Sequence, residues 1–261
     1  MKYGFIGCGN MGGAIARAVS QSTKDILITD KTGAGRDLAR QLGIAYGDMR
    51  TVARECPRIF LAVKPHIVPE VLEAIRPLLS ERTPLLISMA AGVEIQRIEA
   101  LAGCSLPVIR IMPNTPVSIG HGMTQYCCNS LVSPEVLQDF LRDMAPSGHL
   151  DSIEERLMDA ASALSGCGPA YSYLFLEALS DGAVACGLPR KKATEYAAAT
   201  LEGAARMVLE TRLHPGALKD AVCSPGGSTI EGVRTLEERG FRGAVMDCVI
   251  AAFQKNQKLG K

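Results

Sequence analysis

Between Tyr3 and Met112 the apolar residues come in short, dense runs. Tyr3 to Ile6, Asp25 to Asp30, Arg58 to Val63, Leu85 to Met89 and Pro107 to Met112 each read as a strand buried on both faces. Between them the apolar spacing becomes helical, over 13–19, Arg36 to Leu42 closing at Gly43, Pro69 to Leu79 and Glu94 to Leu101. Strand and helix alternate, the pattern of a parallel sheet covered on both faces. A strand over Gly122 to Tyr126 and a helix over Pro134 to Met144 extend it.

After Ile153 the pattern changes. Strand signals stop and alanine-rich helical segments take over, over Leu157 to Leu164, Ala170 to Cys186, Arg190 to Thr211, Gly216 to Cys223, Thr229 to Glu238 and Gly243 to Lys258. Gly187 and Pro189 stop the second of these. Apolar residues fall on more than one helix face, which a single chain has no means of hiding. A homodimer through these helices is therefore expected.

Composition narrows the class. The 261 residues are 47% hydrophobic and 21% charged, which suits a packed core. A net charge of +1 without long charged runs argues against nucleic acid and anionic membrane as partners. No apolar stretch approaches the roughly 20 residues of a membrane span. The first residues enter a strand directly, without the apolar segment and cleavage site of a signal peptide. Nine cysteines with no C-x-x-C pair suit a reducing compartment, so a cytoplasmic protein is expected. Cys127 and Cys128 read as alternating strand positions. The four histidines lack metal-ligand spacing, and no metal is expected.

Chemistry concentrates at two places. The first is Gly7-Cys8-Gly9-Asn10-Met11-Gly12, a G-x-G-x-x-G placed after a strand and before a helix. Gly7 allows the tight turn, Gly9 lets a pyrophosphate approach the backbone, and Gly12 lets the helix pack on the strand. The pyrophosphate would rest on the helix N-terminus. Asp30 closes the second strand, where an acid bonds the adenosine ribose of NAD. Lys31 and Arg36 follow at once, and either suits the 2′-phosphate of NADP, so both cofactors remain open. Lys64-Pro65 and Asn114-Thr115 end later strands at the edge where open α/β sheets bind ligands; a turn pinned between prolines would also explain Asn114-Thr115.

The second place is Ser224-Pro225-Gly226-Gly227-Ser228-Thr229, a tight loop opening a helix. Ser228 and Glu231 have capping-box spacing, which places the helix start near Ser228 or Thr229. The bare backbone around Gly226 and Gly227, with the first N–H groups of the helix, suits a small carboxylate. Thr229 adds a hydroxyl. An ordinary capped turn has the same outline.

Taken together these motifs resemble pyrroline-5-carboxylate reductase, the last enzyme of proline synthesis. The matching pieces run nearly end to end: Phe5 to Gly12, Ala62 to Pro65, Ala90 to Val93, Met112 to Pro116, Ser165 to Tyr171, and His214 to Asp220 through Ser224 to Thr229. The resemblance implies a Rossmann domain over 1–152 and a helical substrate-binding and dimerisation domain over 153–261. In fold-class terms that is an α/β Rossmann-like N-terminal domain with an all-α C-terminal dimerisation domain. It implies hydride transfer from NADPH or NADH to the C=N bond of 1-pyrroline-5-carboxylate, giving L-proline. It implies an interlocked homodimer, with decamers of such dimers in many members, and active sites that combine one subunit's nicotinamide pocket with its partner's helices.

The resemblance also implies site roles. Gly7, Cys8, Gly9, Asn10, Met11 and Gly12, with Asp30, Lys31, Ala62, Val63, Lys64, Pro65 and Asn114, would bind the cofactor. Gly226, Gly227, Ser228 and Thr229 would hold the substrate, with the Thr229 hydroxyl on the ring nitrogen as the catalytic side chain. The family usually has a serine where Cys167 stands, and a thiol is a weaker donor. Several members of the resembled family carry an asparagine near Asp48 or Met49 that contacts the cofactor ribose; neither Asp48 nor Met49 is given a role here. Two other readings share the glycine turn: a β-hydroxyacid-dehydrogenase-like carbonyl reductase using a helix-borne lysine such as Lys191 or Lys192, and a non-catalytic NAD(P)-binding redox sensor.

Overall fold

The strands and helices of the first part of the chain build a single sheet. β1 (Tyr3–Ile6), β2 (Ile26–Thr29), β3 (Ala45–Tyr46), β4 (Arg58–Leu61), β5 (Leu85–Ser88), β6 (Val108–Met112), β7 (Gly122–Cys128) and β8 (Gly148–Ser152) lie in the order β3-β2-β1-β4-β5-β6-β7-β8. The computed structural model describes residues 2–259. Met1, Gly260 and Lys261, at the outer ends of the two expected domains, lie outside the described residues.

The first six strands are all parallel, with β1 in register between β2 and β4: Tyr3 faces Ile26 on one side and Arg58 on the other. This is the doubly wound order whose switch point lies between β1 and β4. The expectation of an all-parallel sheet fails at its far edge. β7 runs antiparallel to β6, with Ile109 opposite Cys128 and Met112 opposite Gln125, and β8 is parallel to β7. The connection 113–121 is shorter than the dozen or so residues that a parallel crossover takes, so the chain returns antiparallel. β8, Gly-His-Leu-Asp-Ser, has one apolar residue and sits at the edge, where polar strands are tolerated.

Both sheet faces are buried. α3 (Met49–Glu55), α4 (Val68–Arg82) and α5 (Ile95–Ala102) contribute to one core, with Ile59, Leu61, Leu72, Ile75, Leu86 and Val108. α1 (Asn10–Ser22), α2 (Ala34–Leu42) and α6 (Pro134–Met144) contribute to the other, with Phe5, Ile15, Ile28, Phe60, Ile109 and Phe140. Phe5 and Phe60 stack across β1 and β4 with ring centroids 4.3 Å apart. α3 was not legible as a helix. Asp48 caps it, accepting the Thr51 N–H at 2.9 Å.

α7 (Met158–Ala161) continues into a π-turn, Ser162–Gly166, and Met158 is fully buried in the first core. By compactness the chain divides after Cys167, later than the change of pattern at Ile153, and the end of the chain from Ala252 returns to the sheet unit. Two contacts explain the shift. Arg110, buried in β6, pairs with Glu155 at 3.0 Å, and Asn256 donates to the Asp159 carbonyl at 3.1 Å.

The second unit, Gly168–Ala251, is helical: α8 (Gly168–Ala185), α9 (Arg190–Thr211), α10 (Pro215–Ala221), α11 (Ser228–Glu238) and most of α12 (Phe241–Leu259). Arg190 bonds Ser180 at 2.9 Å and Asp181 at 2.6 Å, and Phe175 meets Phe241 at 5.6 Å. Few side chains are buried. Leu174 is 69% exposed and Leu209 76%, so this unit has almost no core of its own.

Candidate active site

β1 ends at Ile6 and the chain turns at Gly7 with φ +98°, a conformation that L side chains rarely adopt. A Cβ at Gly7 would lie 2.5 Å from the Ala62 carbonyl oxygen, and one at Gly12 would lie 2.8 Å from the Ala62 Cβ. Gly9 faces open space and takes the N-cap of α1. The Asn10, Met11 and Gly12 N–H groups open that helix and have no intrahelical acceptor. No acidic residue stands in the first turn. The cradle is bare, turned outward and electropositive, which fits a dinucleotide pyrophosphate.

Asp30 follows β2 and is tied back to this turn. Its Oδ2 accepts the Cys8 N–H at 2.9 Å, and its Oδ1 accepts the Thr32 N–H at 2.5 Å and the Thr32 hydroxyl at 2.6 Å. Burial pushes the carboxyl up, but the Thr32, Cys8 and Gly33 hydrogen bonds outweigh it and hold Asp30 below the usual carboxylate range. The Cys8 thiol is pushed up to about 11 by burial and by the Asp30 charge, so it stays protonated at neutral pH. Beside Asp30, Lys31 reaches Glu70 at 2.8 Å on the surface. The Arg36 guanidinium lies 5.1 Å from the Tyr46 ring centroid, and the Tyr46 hydroxyl donates to the Asp30 carbonyl at 3.0 Å.

At the end of β4, the Ala62 N–H donates to the Ile6 carbonyl at 2.9 Å, and Lys64 is exposed and caps a 3-10 turn, Pro65–Ile67. At the end of β6, the Asn114 amide is bonded to protein on both sides. The residue is 8% exposed, its Nδ2 donates to the Ser165 carbonyl at 3.0 Å, and its Oδ1 accepts the Met123 N–H at 2.9 Å. The amide braces the protein at both ends. Ser165 adds a bond from its hydroxyl to Gln125 Oε1 at 2.9 Å. Ser165 opens the matching piece Ser165 to Tyr171 but carries no predicted role, and Gln125 is legible only as a position in the strand Gly122 to Tyr126.

In the second unit, Ser224-Pro225-Gly226-Gly227 is a turn with Gly226 at φ +68° and the Gly227 N–H on the Ser224 carbonyl at 3.0 Å. Proline second and a left-handed glycine third make it type II. α11 starts at Ser228, as expected, but the capping box does not form. Gly227 takes the N-cap, which moves Ser228 to the first helical position, and Glu231 pairs with Arg234 at 3.1 Å instead. The turn still leaves the Ser228, Thr229 and Ile230 N–H groups free of intrahelical acceptors, and Thr229 is exposed beside them.

Cys167 is half-buried after the π-turn, its N–H on the Ser162 carbonyl at 3.1 Å. Lys191 and Lys192 stand exposed at the start of α9. Among the described residues no cluster of His, Cys, Asp or Glu is suited to a metal, and no helix is long and apolar enough to cross a membrane. His214 caps α10, its Nδ1 accepting the Gly216 N–H at 3.0 Å. Two shallow depressions, about 440 and 350 Å³, are lined by Ile95, Cys127 and 152–155 and by residues around Lys2 and Arg58. Neither includes the glycine turn or the Thr229 loop.

A family model described as pyrroline-5-carboxylate reductase dimerisation matches residues 155–259, and one described as NADP oxidoreductase, coenzyme F420-dependent, matches 2–92. The pyrroline-5-carboxylate reductase of Escherichia coli (strain K12) is 42% identical over 266 residues, spanning 100% of this chain and 98% of that protein. A structure of Plasmodium falciparum pyrroline carboxylate reductase with NADP bound is 35% identical, with a TM-score of 0.89 over 100% of this chain and 98% of that one. A pyrroline-5-carboxylate reductase from Coxiella burnetii is 33% identical, with a TM-score of 0.90 over 100% and 98%.

Proposed function

The chain belongs to the pyrroline-5-carboxylate reductase family, and we propose that Thr229 and the loop before it carry the substrate end of the reaction. The chain is an oxidoreductase that reduces the C=N bond of 1-pyrroline-5-carboxylate to give L-proline, the final step of proline biosynthesis. Its helical domain serves homo-oligomerisation. Bound NAD(P)H supplies the hydride.

The residues of the chain do the holding. The Gly7–Gly12 turn and the first N–H groups of α1 take the pyrophosphate, supported by the open position of Gly9 and the close approach of Gly7 and Gly12 to Ala62. At the adenosine end, both Asp30 oxygens already accept bonds from Cys8 and Thr32, while Lys31 and Arg36 stand exposed beside them. That arrangement favours a 2′-phosphate, and so NADPH over NADH, in line with the NADP in the Plasmodium relative.

The observation that carries the catalytic reading is the start of α11. In the type II turn Gly226 faces open space, and the N-cap, Gly227, has no side chain, a Cβ there lying 2.5 Å from the Ser224 hydroxyl. The substrate carboxylate sits on these N–H groups, and Ser228 contributes its backbone. The Thr229 hydroxyl, in the same first turn, bonds the ring nitrogen. A protonated imine already accepts hydride at carbon, so Thr229 has only to hold the N–H in place. Hydride addition leaves a secondary amine, which takes up one proton through Thr229 or from solvent to give the zwitterion.

Five dimers assemble into a decamer in this reading, in the cytoplasm. The test is oxidation of NADPH, then NADH, by the purified protein with 1-pyrroline-5-carboxylate, set against reduction of NADP by 3-hydroxy acids. Turnover with the imine alone is the expected result. Turnover with hydroxy acids alone would overturn the substrate assignment.

A further inference from the structure

In a sheet of order 3-2-1-4-5-6 the two halves divide a dinucleotide between them. The adenosine half lies over β1 to β3, and the nicotinamide half over the carboxyl ends of β4 to β6. By that rule the segment that leaves β6, Pro113 to Pro116, would wall the nicotinamide end. It is held by a closed ring of hydrogen bonds. Asn114 Nδ2 donates to the Ser165 carbonyl at 3.0 Å, and Asn114 Oδ1 accepts the Met123 N–H at 2.9 Å. The Ser165 hydroxyl donates to Gln125 Oε1 at 2.9 Å, and Gln125 lies two residues along β7 from Met123. Asn114 is 8% and Gln125 4% exposed.

Three features set this ring apart from ordinary satisfied polarity. It puts polar side chains where apolar packing is available: buried Gln125 lies opposite buried Met112 in the β6–β7 pairing. It clamps Ser165 inside a π-turn, Ser162–Gly166, a rare form that is frequent at functional sites. The Ser165 hydroxyl also lies 2.9 Å from the Ala161 carbonyl, so its one proton serves two acceptors and the π-turn and the ring share it.

Resting on the cofactor reading above, we infer that Ser165 and Gln125, acting through the Asn114 amide, are positioning residues that set the nicotinamide wall. None of the three side chains has to touch the cofactor. Gln125 orients Ser165, Ser165 and Met123 fix the Asn114 amide, and the amide fixes the segment after β6.

Calorimetric titration of the full-length protein, without imine, with two ligands tests this. NADPH carries a nicotinamide; 2′-phospho-ADP-ribose is the same molecule without it. Ser165→Ala and Gln125→Leu are each expected to weaken NADPH binding about tenfold, the scale of one buried hydrogen bond lost. Binding of 2′-phospho-ADP-ribose is expected to change less than about twofold, and Gln125→Glu, which keeps an acceptor for Ser165, to recover most of the NADPH affinity. Equal losses for both ligands, or no loss for either, would overturn the inference. The two variants lie on different elements, so failure of one to fold, checked by thermal unfolding, leaves the other to decide. Wild-type protein that binds neither ligand would overturn the cofactor reading and this inference with it. Wild-type protein that binds both but leaves the imine unreduced would overturn the substrate assignment alone.

Discussion

The Cys8 N–H donates to the Asp30 carboxylate at 2.9 Å, tying the glycine turn to the end of β2. This acid does two jobs at once. It orders the backbone on which the pyrophosphate is expected to rest, and it stays ionised because Thr32 and the backbone N–H groups of Cys8 and Gly33 stabilise the anion against burial.

The consequence is a pH dependence of known sign. The folded Asp30 titrates below its unfolded value of roughly 3.9, so its contribution to stability is present above that pH. It is lost as pH falls through the depressed folded value. Asp30→Asn removes the titration. Thermal unfolding between about pH 2.5 and 5 is expected to show the wild type losing its advantage over Asp30→Asn as acid is added. A difference that stays constant over that range would show that Asp30 has no special proton linkage.

Arg36 and Lys31, the two cations beside Asp30 at the proposed adenosine end, differ in what already holds them. Lys31 is engaged with Glu70 at 2.8 Å, an exposed pair of little energetic weight. Arg36 is stacked on Tyr46, which presents its fork without a carboxylate competitor in that contact. Arg36→Ala is expected to lower kcat/KM for NADPH by roughly tenfold, the scale of one charge-assisted hydrogen bond, and to leave NADH within about twofold. Lys31→Ala should do less. Equal losses with both cofactors would remove Arg36 from 2′-phosphate recognition.

Thr229 separates two uses of one hydroxyl. If it bonds the ring nitrogen, Thr229→Ser keeps the hydroxyl and much of the activity, while Thr229→Val keeps the shape and loses it. The expected fall in kcat for valine is roughly 100-fold, with folding unchanged, because the residue is exposed in the chain. Steady-state kinetics with saturating NADPH measures both. Serine and valine losing activity alike would point to a packing role for the threonine methyl.

What the sequence could show about this fold follows from burial. β1, β2, β4, β5 and β6 are apolar on both faces, so each is visible alone, and α9 matches its expected span of Arg190–Thr211. β8 is an edge strand with a single leucine, and α3 announces itself only through its Asp48 cap. The direction of β7 depends on the length of the connection before it rather than on its own residues. The Asn114 brace was illegible because its acceptor, Ser165, is 51 residues further on, and a π-turn has no periodicity to read. In the Thr229 loop the glycines and the helix start were legible. The S-x-x-E spacing misled because Gly227, one residue earlier, already has the cap conformation, φ −80° and ψ 168°.

The helical unit sets the last prediction. Leu174 on α8, Leu209 on α9 and Met246 on α12 are 69%, 76% and 63% exposed, and Ser180, Ala193 and Ala197 are among the few side chains buried there. Covering a leucine is worth roughly 1.5–3 kcal/mol, so leaving several open would give up much of a typical domain's stability. A second copy of the chain has the same deficit and the same faces, which makes a self-complementary interface the natural cover. The double variant Leu174→Glu and Leu209→Glu is expected to shift the protein toward the mass of one 27.7 kDa chain in light scattering after size exclusion, and to lower its unfolding temperature. Each glutamate would bring a charge into a dry contact, a cost the pair can avoid only by separating. Wild-type protein that runs as a single chain, or a double variant that keeps the wild-type mass and melting point, would place these leucines outside the interface and leave their exposure to be covered in some other way.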